Sequence, residues 1–139
     1  TRERPIRAID ELVRVANGRV VVADPDQATL RITVPGAPAE LVAAVTRLRA
    51  SVGYRNGMFV REIPRRFADR GLRDVTVDEF PLVLTDPDDA FGIATWVAYW
   101  RDHFTAHDVA EWDAGMQRAR ESGGFVYALS YFVTTGTPP

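Results

Sequence analysis

The stretch that decides the fold is Ile9–Asp26, IDELVRVANGRVVVADPD. With Ile6 upstream, the residues Ile6, Ile9, Leu12 and Val13 recur at helical spacing, and Arg7, Asp10, Glu11 and Arg14 take the other faces. The pattern predicts an amphipathic helix over Pro5–Ala16. Asn17-Gly18 stops it, because both residues tolerate the left-handed backbone at a helix C-terminus. Val20-Val21-Val22-Ala23 then runs without alternation, as expected of a parallel strand covered on both faces. Asp24-Pro25-Asp26 is expected to end it. A helix, a tight turn and a buried strand closed by acids normally lie deep inside a nucleotide-binding sheet, so the other strands are sought downstream.

Residues 27–37, with Pro35-Gly36, read as loop with at most a short extended piece. Pro38 then opens a second helix whose Leu41, Val45, Leu48 and Val52 form an apolar stripe closed by Gly53. RNGMFVREIPRRFADRGL predicts a loop entering a helix, with Pro64 near its start and Gly71-Leu72 as its terminating pair. Asp74–Phe80 alternates as a half-buried strand does, and Pro81, which cannot donate to a ladder, places it at or near a sheet edge. Asp86-Pro87 predicts a helix start, with Ile93, Val97, Trp100 and Phe104 on its buried face. Thr105 with Asp108 resembles a capping box for a further helix carrying Val109, Trp112 and Met116. These two helices form a predicted hairpin over 87–122. Gly123-Gly124 ends it, and the aromatic and β-branched run FVYALSYFVTT is the clearest strand in the chain.

The predicted order is an α/β pattern with only three strands, and no internal repeat. A chain of 139 residues fits one domain spanning 1–139, able to bury roughly 68–70% of its unfolded surface. Its 46% hydrophobic content and three tryptophans exclude a disordered chain. All 17 basic residues are arginine, and 19 acidic residues bring the net charge to −2 with both signs interspersed. That distribution argues against nucleic-acid and membrane-surface partners. With no cysteine, disulfides, thiolate metal sites and a thiol nucleophile are excluded. TRERPIRAIDEL has no signal-type apolar core and no run reaches the length of a membrane span, so a cytoplasmic location is expected.

In order and spacing, the elements resemble the C-terminal half of a class I S-adenosylmethionine-dependent methyltransferase of the small-molecule group that includes the ubiquinone and menaquinone enzymes. IDELVRV followed by GRVVVADPD resembles the family's helix and fifth strand, although its Pro-Gly-Gly turn is here Ala16-Asn17-Gly18. YRNGMFVREIPRRFADRGLRDVTVDEF resembles the helix and glycine before the sixth strand, and ALSYFVTTGTPP resembles the closing seventh. The resemblance implies a partial Rossmann-like sheet of strand order 5-7-6 with its last strand antiparallel, flanking helices, and the hairpin inserted on the substrate side. It also implies S-adenosylmethionine as cofactor. The family's D-x-G-x-G-x-G loop and the acidic residue that ends its second strand are both missing from these residues, so no cofactor-binding residue is assigned. The chain is then expected to be a fragment, a separate half or a degenerate relative, and a bare fifth-strand edge invites a partner or a second copy.

Asp24 and Asp26 lie past the carboxyl end of the predicted strand, where open α/β sheets bind ligands. Within the family reading Asp24 is a candidate general base toward a hydroxyl nucleophile, and Asp26 a substrate contact. The competing reading is turn and cap chemistry. The resemblance sets Arg55 and Asn56, with Arg61 close behind, near the substrate entrance, where they would orient an anionic or carbonyl-bearing molecule. Ordinary loop chemistry competes there. The further arginines at 65, 66, 70 and 73 alternate with acids and read as a solvated helix face. His103 and His107 are spaced i, i+4, but the break at Thr105 rotates them apart, so no metal is expected and His103 remains a candidate proton acceptor. Trp100 and Trp112 are assigned to packing, while Trp96 and Tyr99 are candidates to line a pocket for a flat apolar substrate.

The function expected from these residues is the substrate-binding portion of a small-molecule methyltransferase, inactive without its cofactor-binding half. The rival is a non-catalytic interaction module that dimerises or docks through its exposed sheet edge.

Overall fold

The computed structural model describes residues 3–139. Helix α1 (Glu3–Val15) leads into strand β1 (Val20–Thr33), and α2 (Ala39–Leu48) follows, extended by a π-turn over Arg49–Gly53. A 3₁₀ turn at Phe59–Glu62 runs into α3 (Ile63–Asp69) and then strand β2 (Arg73–Leu84). The single-turn helix α4 (Trp96–Tyr99), the long helix α5 (Ala106–Ser122) and strand β3 (Val126–Thr137) complete the order. The protein is mixed α/β. Its open three-stranded sheet has the order β1-β3-β2, and β3 runs antiparallel to both neighbours.

Successive side chains of a strand face opposite sides, so β3 divides the interior into two cores. Tyr127 and Leu129 join Leu30, Val45, Ile93, Val97, Trp112 and Met116 under α2, α4 and α5. On the other face Phe132 packs with Val20, Ile9, Phe59, Ile63 and Phe67 under α1 and α3. Gly136 is required there: a Cβ would sit 2.9 Å from Leu72 and 3.0 Å from Phe67. An ion pair between Arg70 and Asp10 ties α3 to α1.

Several local signals act as the sequence predicts. Gly71 adopts φ +76°, its amide bonds to Ala68, and that of Leu72 to Phe67, which is the Schellman arrangement that satisfies the last carbonyls of α3. The Asp108 amide donates to Thr105 Oγ1 at 3.1 Å while Asp108 Oδ2 accepts from the Thr105 amide at 2.8 Å, a capping box that starts α5. Pro81 sits in β2, which is an edge strand.

Four expectations are corrected. Asp24-Pro25-Asp26 does not end β1: the strand continues to Thr33 across a bulge between Asp26 and Arg31, where the pairing with β3 shifts register. Nor is β1 parallel to its neighbour or covered on both faces, since it pairs antiparallel with β3, and Val21 is 55% exposed. The hairpin at 87–122 has only one substantial limb. Asp86 closes an Asx turn by accepting from the Asp88 amide at 2.8 Å, and positive φ at Phe91 and Gly92 prevents a continuous helix before Ile93. Leu12, predicted on the buried face of α1, is also exposed.

Candidate functional site

The bulge in β1 brings together most of the polar residues singled out in the sequence. Asp24 and Pro25 still belong to the regular ladder, opposite Phe132 and Tyr131. At Asp26 the chain turns: the Ala28 amide donates to Asp26 Oδ1 at 3.1 Å and Thr29 Oγ1 donates to the Asp26 carbonyl at 2.7 Å. Thr29 Oγ1 also accepts from the Ser130 amide at 2.9 Å, so the bulge is bonded to β3 even where the ladder lapses. Asp26 is 1% exposed, and Arg61 Nε reaches its Oδ2 at 2.5 Å from the 3₁₀ turn before α3. A buried carboxylate needs such a partner. Arg61 and Asp26 therefore hold each other, which spends both on structure.

The segment 53–57 crosses next to this bulge. The Gln27 amide donates to the Gly57 carbonyl at 2.8 Å, clipping the segment to β1. A Cβ on Gly57 would sit 2.9 Å from Gln27 Cγ and 3.0 Å from its Cβ, so the approach needs glycine. Between the two strips lies a cavity of about 300 Å³ lined by Asp24, Pro25, Gln27, Tyr54, Arg55 and Asn56 among others. Tyr54 is held in place by Arg49, whose Nη2 donates to the tyrosine hydroxyl at 2.8 Å and whose guanidinium lies 4.6 Å from that ring and 4.1 Å from the Trp96 ring. Burial raises the Asp24 carboxyl above its ordinary value. Gln27 is 3% exposed and its side-chain oxygen accepts no hydrogen bond.

Asp24, Arg55 and Asn56 thus meet in one cavity, with the Asp26–Arg61 pair as its support. The other three candidates lie elsewhere. Trp96 is a core residue: its Nε1 donates to the Phe91 carbonyl at 3.1 Å and its ring packs on Trp100 and Tyr127. It opens the single turn of α4 and lies in the larger core. Tyr99 is 80% exposed, and His103 is an exposed residue of the turn after α4; neither lines the cavity. His107 lies 3.8 Å from Glu111 within α5, and among the described residues no group of three or more acids and histidines is placed to hold a metal. Trp112, assigned to packing, is fully buried and donates to the Ile93 carbonyl at 2.9 Å.

Gln27, Tyr54 and Arg49 were not singled out in the sequence. Gln27–Thr33, QATLRIT, alternates polar and mostly apolar residues strictly, which is the signature of a strand. Taking Asp-Pro-Asp as a stop hides that signal and leaves Gln27 in a loop.

Among the described residues, the glycine turn that follows β1 leaves no room for a nucleotide-type cofactor. That turn, between β1 and α2, has Gly36 at φ +69°. It is filled by Arg118, whose Nε lies 2.6 Å from the position of a Cβ on Gly36 and donates to the Pro35 carbonyl at 3.0 Å. No helix among the described residues is long and apolar enough to cross a membrane. No family model matches the chain, and no curated protein matches it in sequence.

Proposed function

We propose that residues 1–139 form the substrate-binding C-terminal portion of an S-adenosylmethionine-dependent small-molecule methyltransferase, inactive without a cofactor-binding half. The observation that carries this reading is the strand arrangement: the last strand in sequence lies in the middle of the sheet, antiparallel to both neighbours, as the family resemblance implies. The cavity beside Asp24 supports it, since it opens where β1 leaves its regular ladder. On this reading the cavity positions the substrate, Asp24 accepts or shares its proton, and the cofactor with its methyl group is held by residues outside those described.

The test is to fuse the cofactor-binding half of a small-molecule methyltransferase ahead of Thr1, then measure retention of labelled S-adenosylmethionine and transfer of the label. The reading requires no retention by residues 1–139 alone, and both retention and transfer by the fusion. A fusion that holds cofactor and transfers nothing to a panel of hydroxylated and amino compounds sinks it.

A second reading, an interaction module that dimerises or docks through β1, is favoured by the exposure of Val21 and Ala23 on an edge strand. Sedimentation equilibrium separates it. This reading expects a dimer that Val21→Lys dissolves and that S-adenosylmethionine leaves unchanged.

A further inference from the structure

A larger concavity than the one beside Asp24 lies beyond the bulge, where the last residues of β1 and one side of α2 form a groove of about 600 Å³. Ile32 packs on the larger core, Arg31 and Thr33 are exposed, and all three line the groove. Strand neighbours that face opposite ways share a groove only along the edge of the strand. That edge is free. β1 is an outer strand, and among the described residues the backbone of residues 31–33 bonds to β3 alone. The opposite wall is Ala39, Val42, Ala43 and Thr46, which the helical period sets on one side of α2. These side chains are short, so an extended chain can enter between helix and strand at the ~4.8 Å spacing of a ladder.

Charge selects the occupant. Arg31 and Arg47 are the charged residues of the lining; both are exposed, and among the described residues neither is in an ion pair. They share one end of the groove, because the turn over residues 35–38 reverses the chain: Arg31 lies about 10 Å before Val34 along the strand, and Arg47 about 12 Å past Ala39 along the helix. Glu40, the acid of α2, is at the other end of that helix and does not line the groove.

We propose that this groove binds an extended acidic segment of another protein, which adds as a fourth strand to the free edge of β1 at residues 31–33 and sets a carboxylate against Arg31 and Arg47. The backbone of the segment makes the ladder bonds, its side chains lie against Val42 and Ala43, and the two arginines fix which end is acidic. The inference goes beyond both readings of function, since it needs neither methyl transfer at the cavity beside Asp24 nor pairing at Val21.

The experiment uses ¹⁵N-labelled protein titrated with a capped pentapeptide of glutamate, valine, threonine, valine and glutamate, whose acids reach the arginines in either strand direction. Its counterpart carries glutamine at both ends. The acidic peptide is expected to shift the amides of residues 31–33 and to slow hydrogen exchange at those that face outward, and the glutamine peptide to need about tenfold more for the same shift. Arg31→Gln combined with Arg47→Gln should erase that difference. Ala43→Trp, which fills the groove from an exposed position, should abolish binding of both peptides. Equal titration by the two peptides overturns the proposal, as does the absence of shifts at residues 31–33. Shifts without slowed exchange also overturn it, because no strand has then been added. Decanoate, an apolar carboxylate with no peptide backbone, should not displace the acidic peptide; displacement at equal concentration assigns the groove to an acyl chain and overturns the proposal. Should Ala43→Trp not fold, the comparison of the two peptides on the native protein still decides.

Discussion

β1 and β2 are the two outer strands of one sheet, both bonded to β3, and they are built by opposite rules. β2 fully buries none of its residues; Val77, Phe80 and Val83 are all exposed, and it carries Pro81 with the acids Asp74, Asp78 and Glu79. A proline and charges are the usual means of keeping an edge from recruiting another strand. β1 buries Val20, Asp26, Gln27 and Leu30, and it breaks its ladder at the point where the two polar residues turn inward. A terminal edge needs only to stay unpaired. A strand that hides an acid and an amide beside a bulge incurs a desolvation cost that solubility does not require, and that sets β1 apart from β2.

Truncating each strand sharpens that contrast most. Leu30→Ala removes a 5% exposed side chain from the larger core and should cost about 2–5 kcal/mol in urea unfolding. Val83→Ala, on an exposed position of β2, should stay within about 0.5 kcal/mol. Similar losses at the two positions would mean that β2 is as much part of the core as β1, and the contrast would fail.

The polar half of the contrast rests on Asp26. Asp26→Ala deletes the acceptor of both the Ala28 amide and Arg61, and should cost about 1–3 kcal/mol. Arg61 is 56% exposed and returns to water, so the loss stays below that of a fully buried pair. Asp26→Asn keeps an oxygen for the Ala28 amide and should lose less. On β2 the matching change, Asp78→Ala, should register within about 0.5 kcal/mol. If Asp26→Ala is equally silent, the buried acid is not what holds the bulge.

What could be read in the sequence follows the same division between local and non-local causes. The start of α5 at Thr105 and the end of α3 at Gly71-Leu72 depend on residues within one turn, and both are legible. So is the edge position of β2, because proline's missing N–H is a local fact. The length of β1 was not legible from Asp-Pro-Asp, since those residues make equally good turns and bulges; Thr29 bonding to Ser130, 101 positions away, decides which. The first limb of the hairpin failed similarly. Ile93, Val97, Trp100 and Phe104 have helical spacing, but positive φ at Phe91 and Gly92 sets the chain direction before they are reached. At the site, Asp24, Arg55 and Asn56 were legible as polar residues at a strand end and a loop. Gln27 was not, because its burial depends on the close approach of Gly57.

Gly57→Ala tests that approach directly. The new methyl would sit 2.9 Å from Gln27 Cγ and 3.0 Å from its Cβ, atoms at the root of a buried side chain that cannot swing clear, so the cost should be about 1–3 kcal/mol, as for overpacking. Its larger effect should be on the cavity, with the Gln27 amide resonance displaced while α1 and α3 resonances stay put. An unmoved Gln27 amide resonance would show that Gln27 is not placed by the segment 53–57.

The smallest expected effect is the pH response of Asp24. Its carboxyl has a raised pKa because burial disfavours the charged form, so the native state holds this proton more tightly than the unfolded chain does. Between the two pKa values the native state binds more protons, and stability therefore falls as pH rises from the ordinary aspartate range through the raised value. Above that window the penalty is complete and constant; below the unfolded value it vanishes. Asp24→Asn removes the charge, so it should stabilise the protein at neutral pH by less than about 1 kcal/mol, the part-exposed carboxylate being screened by solvent. The gain should disappear in acid. Unfolding midpoints of the two proteins across the acid range check the sign: a gain that persists below the ordinary aspartate range would assign the effect to altered hydrogen bonding, and a loss at neutral pH would mean that the charged form of Asp24 is stabilised by a partner and not penalised by burial.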